Sequence, residues 1–276
     1  MRQLRGLRRV RGWKRFANAV IGDSAEPFQI SNNGILVTGT LASFIEREIY
    51  LFGGYEQDLI DLFIAQVPLD RRHTILDVGA NIGTHSLRFS QSFDAVHAFE
   101  CNPTIYPLLQ ANLALNKSAP ITAHPIGLGD TPGEFDLFAP VGINGGLGTF
   151  LQTDQYAQPI VKMATARIET ADSLVPSHIT GPIDAIKCDV QGFELAVLRG
   201  ARELIAAHRP IIWVELSDAL ASDQASMREF MELLPKPARF LRFVSESRFG
   251  SWSVTLVETD PANISGGDHI IVPGAS

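Results

Sequence analysis

The chain has 276 residues, of which 45% are hydrophobic and 19% are charged, so it can bury a large core and is not a disordered chain. Two cysteines and the absence of a Cys-x-x-Cys pair exclude a disulfide scaffold and a zinc ribbon, and no apolar run approaches the length of a membrane span. A net charge of −7 disfavours general nucleic-acid binding. We therefore expect a cytoplasmic protein with one large domain and an extension.

The first fifteen residues form a basic arm that contrasts with the rest of the chain. They hold seven of the 23 basic side chains and none of the 30 acidic ones. Apolar residues at helical spacing predict a short amphipathic helix there, and no apolar segment long enough for a signal peptide follows. We favour docking of this arm on the acidic body of its own chain or of a sister subunit. The alternatives are an anionic membrane surface, contacted peripherally, an acidic substrate or an acidic partner.

A hairpin and a helix follow the basic arm. Two apolar triplets flank Asn33-Gly34, a dipeptide typical of tight hairpin turns because both residues tolerate positive φ angles. The pattern then favours a helix over residues 55–66. We therefore divide the chain into an arm-and-hairpin extension, residues 1–54, and a main domain, residues 55–276.

From residue 74 onward, short apolar strands alternate with helical segments. This alternation predicts an α/β fold: a doubly wound, mostly parallel, Rossmann-like sheet of about seven strands, the last one reversed, with helices on both faces. The predicted strands cover residues 74–78, 95–100, 121–126, 134–138, 183–190, 211–216, 240–244 and 253–257. The predicted helices cover residues 84–91, 103–116, 193–207 and 223–234.

A glycine-rich stretch interrupts this alternation. Residues 139–149 contain four glycines and cannot form a regular element. A loop of this length inside a compact domain is either part of a site or a flexible insert. We interpret it as a substrate lid in which Asn144 orients the acceptor, with a plain flexible insert as the alternative.

The sharpest signal is the turn after the first predicted strand of the main domain. Asp77 lies in that strand, Gly79, Asn81 and Gly83 alternate after it, and a helix begins. Glycine permits close backbone approach, and asparagine tolerates a left-handed conformation. Glu100, at the end of the next strand, can accept both hydroxyls of a ribose lying over the turn. Asp77 would repel a pyrophosphate but suits the ammonium and sulfonium groups of S-adenosylmethionine, which is therefore the predicted cofactor.

Two other interpretations of this turn stay open. An ordinary strand-to-helix turn would need no ligand at all. A nicotinamide oxidoreductase is disfavoured, because its pyrophosphate-binding turn takes a third glycine that this chain lacks and has no place for a carboxylate such as Asp77.

The ends of the later strands supply further candidates, since ligands of open α/β sheets collect at the carboxyl ends of the strands. Asp130 is expected to accept a hydrogen bond from the adenine amine, or else to be a turn residue. Asp189 is the first candidate for the base that takes the proton of an acceptor hydroxyl, followed by Glu215 and His85. Lys187 is expected to orient the acceptor. The alternatives are a helix-capping role for Asp189 and catalysis by positioning without a base.

Four stretches of the chain carry a family resemblance. They are Asp-Val-Gly-Ala-Asn-Ile-Gly at 77–83, Phe-Glu-Cys-Asn-Pro at 99–103, Lys-Cys-Asp-Val-Gln-Gly-Phe-Glu at 187–194 and Leu-Arg-Gly-Ala at 198–201. Over roughly residues 50–218, the chain resembles the FkbM-type S-adenosylmethionine-dependent methyltransferases. It departs from the family's usual pattern at Gln191, where a glutamate is usual, and at Cys101.

The resemblance implies a class I methyltransferase fold, S-adenosylmethionine as cofactor and O-methylation of sugar or polyketide-type hydroxyls. Tyr55-Glu56 is similar to a further family landmark, which places Glu56 among the residues implied to bind the cofactor.

We therefore expect an O-methyltransferase whose partner is a small hydroxyl acceptor. The alternative from another class is a non-catalytic S-adenosylmethionine-binding scaffold that uses its basic arm to hold a partner or a membrane surface. No residue spacing demands a metal, and we expect no nucleic-acid partner. The sequence leaves the identity of the acceptor and the oligomeric state open.

Overall fold

The computed structural model describes residues 24–41, 43–140, 148–150, 159–175, 177–248 and 251–274. The predicted basic helix and Asn144 of the predicted lid lie outside the described residues, so both interpretations stay predictions.

The first described element is a hairpin. Strand β1 (Ser24–Asn32) pairs antiparallel with β2 (Ile35–Leu41). Asn33 and Gly34 join the two strands with φ angles of 50° and 80°. These angles confirm the predicted hairpin and the reason for its Asn-Gly turn, because both residues tolerate this conformation.

The remaining described strands and helices follow the hairpin in the chain. The strands are β3 (Thr74–Val78), β4 (Ala95–Phe99), β5 (Ile121–His124), β6 (Gly127–Leu128), β7 (Gly133–Pro140), β8 (Ile160–Glu169), β9 (Ile183–Cys188), β10 (Ile211–Leu216), β11 (Ala238–Arg248), β12 (Ser251–Thr259) and β13 (Gly267–Pro273). The α-helices, including one that follows the hairpin, are α1 (Phe44–Phe52), α2 (Gln57–Gln66), α3 (Thr84–Phe89), α4 (Tyr106–Leu115), α5 (Ala171–Leu174), α6 (Glu194–Arg199), α7 (Arg202–His208), α8 (Asp218–Ser222) and α9 (Gln224–Leu233). In the described part of the chain, none of the helices is long and apolar enough to cross a membrane.

Eight of the described strands form one sheet in the order β12-β11-β13-β10-β9-β3-β4-β5. The neighbours from β10 to β5 all pair in parallel, whereas β13 pairs antiparallel with both β10 and β11. Every residue of β3 and β9 is buried, as expected for central parallel strands covered on both faces. The predicted doubly wound α/β fold is confirmed, with eight strands in place of about seven.

The sheet contains two reversed strands, and the sequence predicts one of them. The predicted final strand is reversed, since β12 pairs antiparallel with β11, which has the same direction as β10. The other reversed strand, β13, lies inside the sheet between β10 and β11. Its residues His269, Ile270 and Ile271 are buried, which fits an interior position. The sequence pattern did not predict this strand.

A second, three-stranded sheet has the order β6-β8-β7. The predicted strand over residues 134–138 belongs to this small sheet as part of β7, and not to the main sheet. The pattern did not predict β8, because polar residues such as Lys162, Thr165 and Arg167 interrupt its apolar positions.

The helix predicted over residues 193–207 is two short helices, α6 and α7. The break falls next to Gly200, where a Cβ atom would lie 1.8 Å from the carbonyl oxygen of Gly129. Only glycine allows the two backbones to approach this closely, so packing against Gly129 accounts for the glycine at the break.

The strand order creates a crevice beside β3. From β3 the chain runs outward through β4 to β5, and it later returns to β9 on the other side of β3. Crevices at such crossovers are the usual ligand sites of open α/β sheets. The turn after β3 and the residues after β9 therefore face a common space.

Candidate active site

A cleft opens at the carboxyl ends of β3, β4, β9 and β10, with an empty volume of about 1230 Å³ that is partly open to solvent. Most of the predicted site residues line this cleft: Glu56, Gly79, Asn81, His85, Glu100, Lys187, Asp189 and Glu215. Asp77, Gly83 and Asp130 are not among its lining residues. Asn144 lies outside the described residues.

The turn after β3 has the left-handed conformations that its sequence predicts. Gly79, Asn81 and Gly83 have φ angles of 81°, 52° and 87°. A Cβ atom on Gly79 would lie 1.9 Å from the carbonyl oxygen of Asp189, and one on Gly83 would lie 2.5 Å from Leu109. Both glycines are therefore required by packing within the protein. The prediction instead assigned Gly79 to the approach of a ligand and Gly83 to packing on the preceding strand.

Glu100 is fixed at the end of β4 by two backbone amides. Its Oε2 atom accepts a hydrogen bond from Asn81 N at 2.9 Å, and its Oε1 atom accepts one from Asn102 N at 2.8 Å. Burial raises the pKa of Glu100 against the lowering effect of these two hydrogen bonds. A carboxylate has about four acceptor positions, so Glu100 retains capacity for two more donors from the cleft. This chemistry fits the two hydroxyls of a ribose.

Asp77 is fully buried and interacts with other protein groups. Its Oδ2 atom accepts a hydrogen bond from Ser86 Oγ, and its Oδ1 atom lies 3.8 Å from Lys187 Nζ. Lys187, which does line the cleft, also donates to Gly79 O at 3.2 Å and to Asp189 Oδ2 at 3.3 Å. In this arrangement Asp77 stabilises the Lys187 ammonium, and direct contact between Asp77 and a cofactor stays a prediction.

Lys187 is a buried cation between two carboxylates. Burial lowers its pKa, but the negative charges of Asp189 and Asp77 outweigh that effect and raise it above the ordinary lysine value. Lys187 is therefore a permanent positive charge in the wall of the cleft, and it is already paired.

Asp189 and Glu215 form a carboxyl pair that Gln191 bridges. Gln191 Nε2 lies 3.0 Å from Asp189 Oδ1 and 3.3 Å from Glu215 Oε2. Burial raises the pKa of Asp189, but Lys187 and the hydrogen bonds from Glu215 and Gln191 bring it below the usual range. Burial and the charge of Asp189 raise the pKa of Glu215. The two carboxyl groups therefore differ in basicity, and Glu215 is the stronger base.

Asp268 is a cleft residue that sequence reasoning missed. It lies on β13, and its Oδ1 atom accepts a hydrogen bond from Trp213 Nε1 at 2.7 Å. Burial raises its pKa to about 6, against the lowering effect of the Trp213 hydrogen bond. The apolar residues Ile270-Ile271-Val272 nearby indicate a strand, but no local pattern shows that this strand pairs with β10.

His85 is held in a stack of aromatic rings. Its ring lies 5.4 Å from that of Trp213 and 6.2 Å from that of Tyr55, both nearly parallel to it. His85 Nε2 is buried and lies 3.4 Å from Glu56 Oε2, without a hydrogen-bond partner among the described residues. Both faces of the His85 ring are therefore occupied by neighbouring rings, and Nε2 faces the Glu56 carboxyl group.

Asp130 is on the surface in this structure. It is exposed, and its Oδ2 atom lies 3.3 Å from Arg199 Nη1. Arg199 also pairs with Glu229. The structure therefore does not bring Asp130 to the cleft, and contact between Asp130 and adenine stays a prediction.

The described residues contain no group of three or more His, Cys, Asp or Glu side chains arranged to hold a metal ion. The carboxyl groups of the cleft are instead fixed by Lys187, Gln191 and Trp213.

The fold and cleft together define a class I methyltransferase: a doubly wound sheet with a reversed strand beside β10, and a carboxylate at the end of the second parallel strand. Residues 77–244, more than half of the chain, match the family described as the methyltransferase FkbM domain. The chain belongs to the FkbM methyltransferase family, and S-adenosylmethionine is its cofactor.

Individual relatives cover parts of the chain. It is 32% identical over 148 residues to the hexuronic acid methyltransferase AglP of Haloferax volcanii, a match over 52% of this chain and 56% of that protein. It is 29% identical over 192 residues to methyltransferase sdnD of Sordaria araneosa, a match over 59% of this chain and 70% of that protein. An FkbM methyltransferase structure from Methylobacillus flagellatus aligns with a TM-score of 0.43 and 16% identity, over 83% of this chain and 53% of that one. The chain thus spans little more than half the length of the Haloferax relative.

Proposed function

We propose that this protein transfers a methyl group from S-adenosylmethionine to a hydroxyl oxygen of a small glycosyl or polyketide-like acceptor. Membership of the FkbM family supports methyl transfer. The relative named a hexuronic acid methyltransferase supports a sugar as acceptor. The observation that carries the proposal is a single cleft with Glu100 at one strand end and the carboxyl pair Asp189 and Glu215 at two others.

Glu100 would hold the ribose hydroxyls of the cofactor, because its carboxylate is fixed by two backbone amides and faces the cleft. Val78, Phe99, Leu128 and Phe193 supply apolar wall for the rest of the nucleoside. When bound, S-adenosylmethionine supplies a methyl carbon on a sulfonium, whose C–S bond breaks as the acceptor oxygen bonds to that carbon.

Glu215 is the group we assign as base, in place of our first sequence candidate, Asp189. A useful base has a pKa near or above the working pH, and Glu215 has the raised pKa while Lys187 holds Asp189 ionised and weakly basic. The proton of the acceptor hydroxyl would pass to a Glu215 oxygen. His85 lines the same cleft and would contact the acceptor there.

The charge of the cleft favours an uncharged acceptor. Five carboxyl groups line it, those of Glu56, Glu100, Asp189, Glu215 and Asp268. Lys187 is the one Lys or Arg among its described lining residues, and it is already paired with Asp77 and Asp189. Where these carboxyl groups are ionised, an acceptor that carries its own carboxylate would be repelled here, so we propose an acceptor that differs from the hexuronic acid named for the Haloferax relative.

The proposal is tested by incubating the full chain with methyl-labelled S-adenosylmethionine and a panel of glycosides and hydroxylated polyketides. We expect label on an acceptor oxygen, detected by mass spectrometry. Glu100→Ala should lower the yield at limiting cofactor, whereas Glu258→Gln on the exposed strand β12 should keep it. Cofactor binding by calorimetry without transfer to any hydroxyl compound would contradict the proposal and support the scaffold alternative.

A further inference from the structure

Gln191 occupies an unusual place between two acids of the cleft. It lies in the loop between β9 and α6, and its Nε2 atom is within hydrogen-bond distance of both Asp189 and Glu215, at 3.0 and 3.3 Å. An amide nitrogen carries two hydrogens, so it can donate one to each carboxyl group. One side chain thereby connects a carboxyl group that follows β9 with one on β10.

The backbone at Gln191 is held in a left-handed conformation, in which the Gln191 side chain reaches both acids. Gln191 has a φ of 55°, which non-glycine residues adopt rarely. Buried Glu194 accepts hydrogen bonds at Oε1 from Val190 N and Gly192 N, the amides on either side of Gln191. Thr149 Oγ1 donates to the Gln191 carbonyl at 3.0 Å. Three hydrogen bonds thus fix a left-handed residue whose amide nitrogen contacts both acids.

We propose that Gln191 is a positioning residue that holds Glu215 in place and makes its carboxylate form available to take the acceptor proton. This inference rests on the proposed function, in which Glu215 is the base. Asp189 and Glu215 already share a hydrogen bond. Without the amide they would share that proton more tightly, because like charges this close oppose double ionisation. With the amide, each negative charge has its own N–H donor.

Other charged groups act on Glu215 as well, and they set the background for the test. The titratable groups that face it or line the same cleft come from several elements: Asp189 and Lys187 from β9 and its loop, Asp268 from β13, Glu194 from α6, Tyr55 and Glu56 before α2, His85 from α3, and Glu100 and Cys101 after β4. All of these groups remain in a Gln191 variant, so a change in Glu215 titration reports the loss of the amide.

Two substitutions separate the parts of this role. Gln191→Leu removes both donors while keeping a side chain of similar length. Gln191→Glu keeps the length and adds a third carboxyl group to the pair. We expect the titration of Glu215 to move to higher pH in both, by about one pH unit or more in Gln191→Glu.

The direct experiment is a titration of side-chain carboxyl carbons by NMR in the full chain labelled with ¹³C-glutamate. Glu215→Gln identifies the Glu215 signal. Glu258→Gln is the control, since it removes an exposed carboxyl group outside the cleft and leaves Gln191 and its contacts unchanged. We expect its Glu215 titration to match the wild type. An unchanged Glu215 titration in both Gln191 variants, or an equal shift in Glu258→Gln, would overturn the inference.

A kinetic measurement with an acceptor that the wild type methylates gives the second readout. In Gln191→Glu the rising limb of kcat/KM against pH should move to higher pH, while calorimetric affinity for S-adenosylmethionine stays within about threefold of wild type. Unlike this kinetic measurement, the NMR titration of Glu215 does not require turnover. Failure of the proposed function would therefore appear as no methyl transfer by the wild type, whereas failure of the inference would appear as an unmoved Glu215 signal.

Discussion

Glu215 and Asp268 lie directly opposite each other across the antiparallel pair of β10 and β13. Residues opposite in such a pair point to the same face of the sheet, so two carboxyl groups from distant parts of the chain enter one cleft. Trp213, two residues before Glu215, donates to Asp268 and fixes its orientation. The acidic character of the acceptor side therefore depends on β13 as much as on the parallel strands.

The basicity of Glu215 predicts how activity depends on pH. Burial and the charge of Asp189 raise its pKa to about 9. A base must be deprotonated, so kcat/KM should rise with pH through the neutral range, about tenfold per unit, and level off near that value. Asp189→Asn removes a like charge and should move the rising limb to lower pH. A kcat/KM that does not rise with pH through the neutral range would contradict Glu215 as the base.

Loss of the Glu100 carboxylate should weaken cofactor binding. A charge-assisted hydrogen-bonded contact contributes about 1.5–3 kcal/mol, so Glu100→Ala should raise the Kd for S-adenosylmethionine roughly ten- to a hundredfold. Calorimetry measures this directly. Asp130→Ala is the informative comparison, because Asp130 is exposed and paired with Arg199. We expect its Kd to stay near wild type, and a tenfold loss would restore the predicted contact with adenine.

Gly34 and Gly79 have nearly equal φ angles, so alanine substitutions at the two positions distinguish the cost of a left-handed backbone from the cost of a steric clash. Gly34 has φ of 80° with no atom within 4 Å of a built Cβ, whereas Gly79 has φ of 81° and faces Asp189 O at 1.9 Å. Gly34→Ala should lower the free energy of unfolding by about 1–2 kcal/mol from the left-handed conformation alone. Gly79→Ala should cost a further 1–3 kcal/mol or so from overpacking. Urea titrations give both values, and equal losses would contradict the close approach at Gly79.

The charge of the acceptor should decide its use. A neutral glycoside should have a higher kcat/KM than the matching glycosiduronic acid, since the described cleft offers the second compound no unpaired cation. Asp268→Asn should narrow that difference by removing one negative charge from the acceptor side. Measurement of both compounds at low and high salt tests the electrostatic origin, because salt weakens repulsion between exposed charges. Preference for the glycosiduronic acid at low salt would rule out the uncharged-acceptor proposal.

The part of the site that the sequence predicts is the part encoded locally. The turn at Gly79 and Asn81 and the carboxylate of Glu100 follow consecutive strands, and strand ends of a parallel sheet meet at one edge. Asp268 could not be placed, because its strand inserts between β10 and β11 and no local pattern specifies a distant partner. Asp130 is the converse case. Its position after a strand predicted a side chain in the cleft, but that side chain pairs with Arg199 at the surface.

Chemical roles were harder to predict than positions. Asp189 and Glu215 both lie in the cleft as expected, yet the order of their basicity depends on which one Lys187 contacts. Lys187 is two residues from Asp189, so alternation along a strand would place both side chains on one face. The bridge through Gln191 was beyond prediction, because it depends on a left-handed backbone held by Glu194 and Thr149.

The position of β13 also bears on how the chain assembles during synthesis. The β11–β12 hairpin emerges from the ribosome before β13 does, yet β13 is the strand that connects it to β10. Until residues 267–273 emerge, the hairpin has no strand of the main sheet to pair with. Its side chains Trp252 and Val257 are 40% and 44% exposed to solvent in the finished fold, and they are more exposed before the hairpin has paired. Long-range pairing of this kind forms slowly and leaves apolar edges open to other chains meanwhile. The side of the cleft that holds Glu215 and Asp268 is thus completed only after β13 has emerged, and the nascent hairpin is where a chaperone would be most useful.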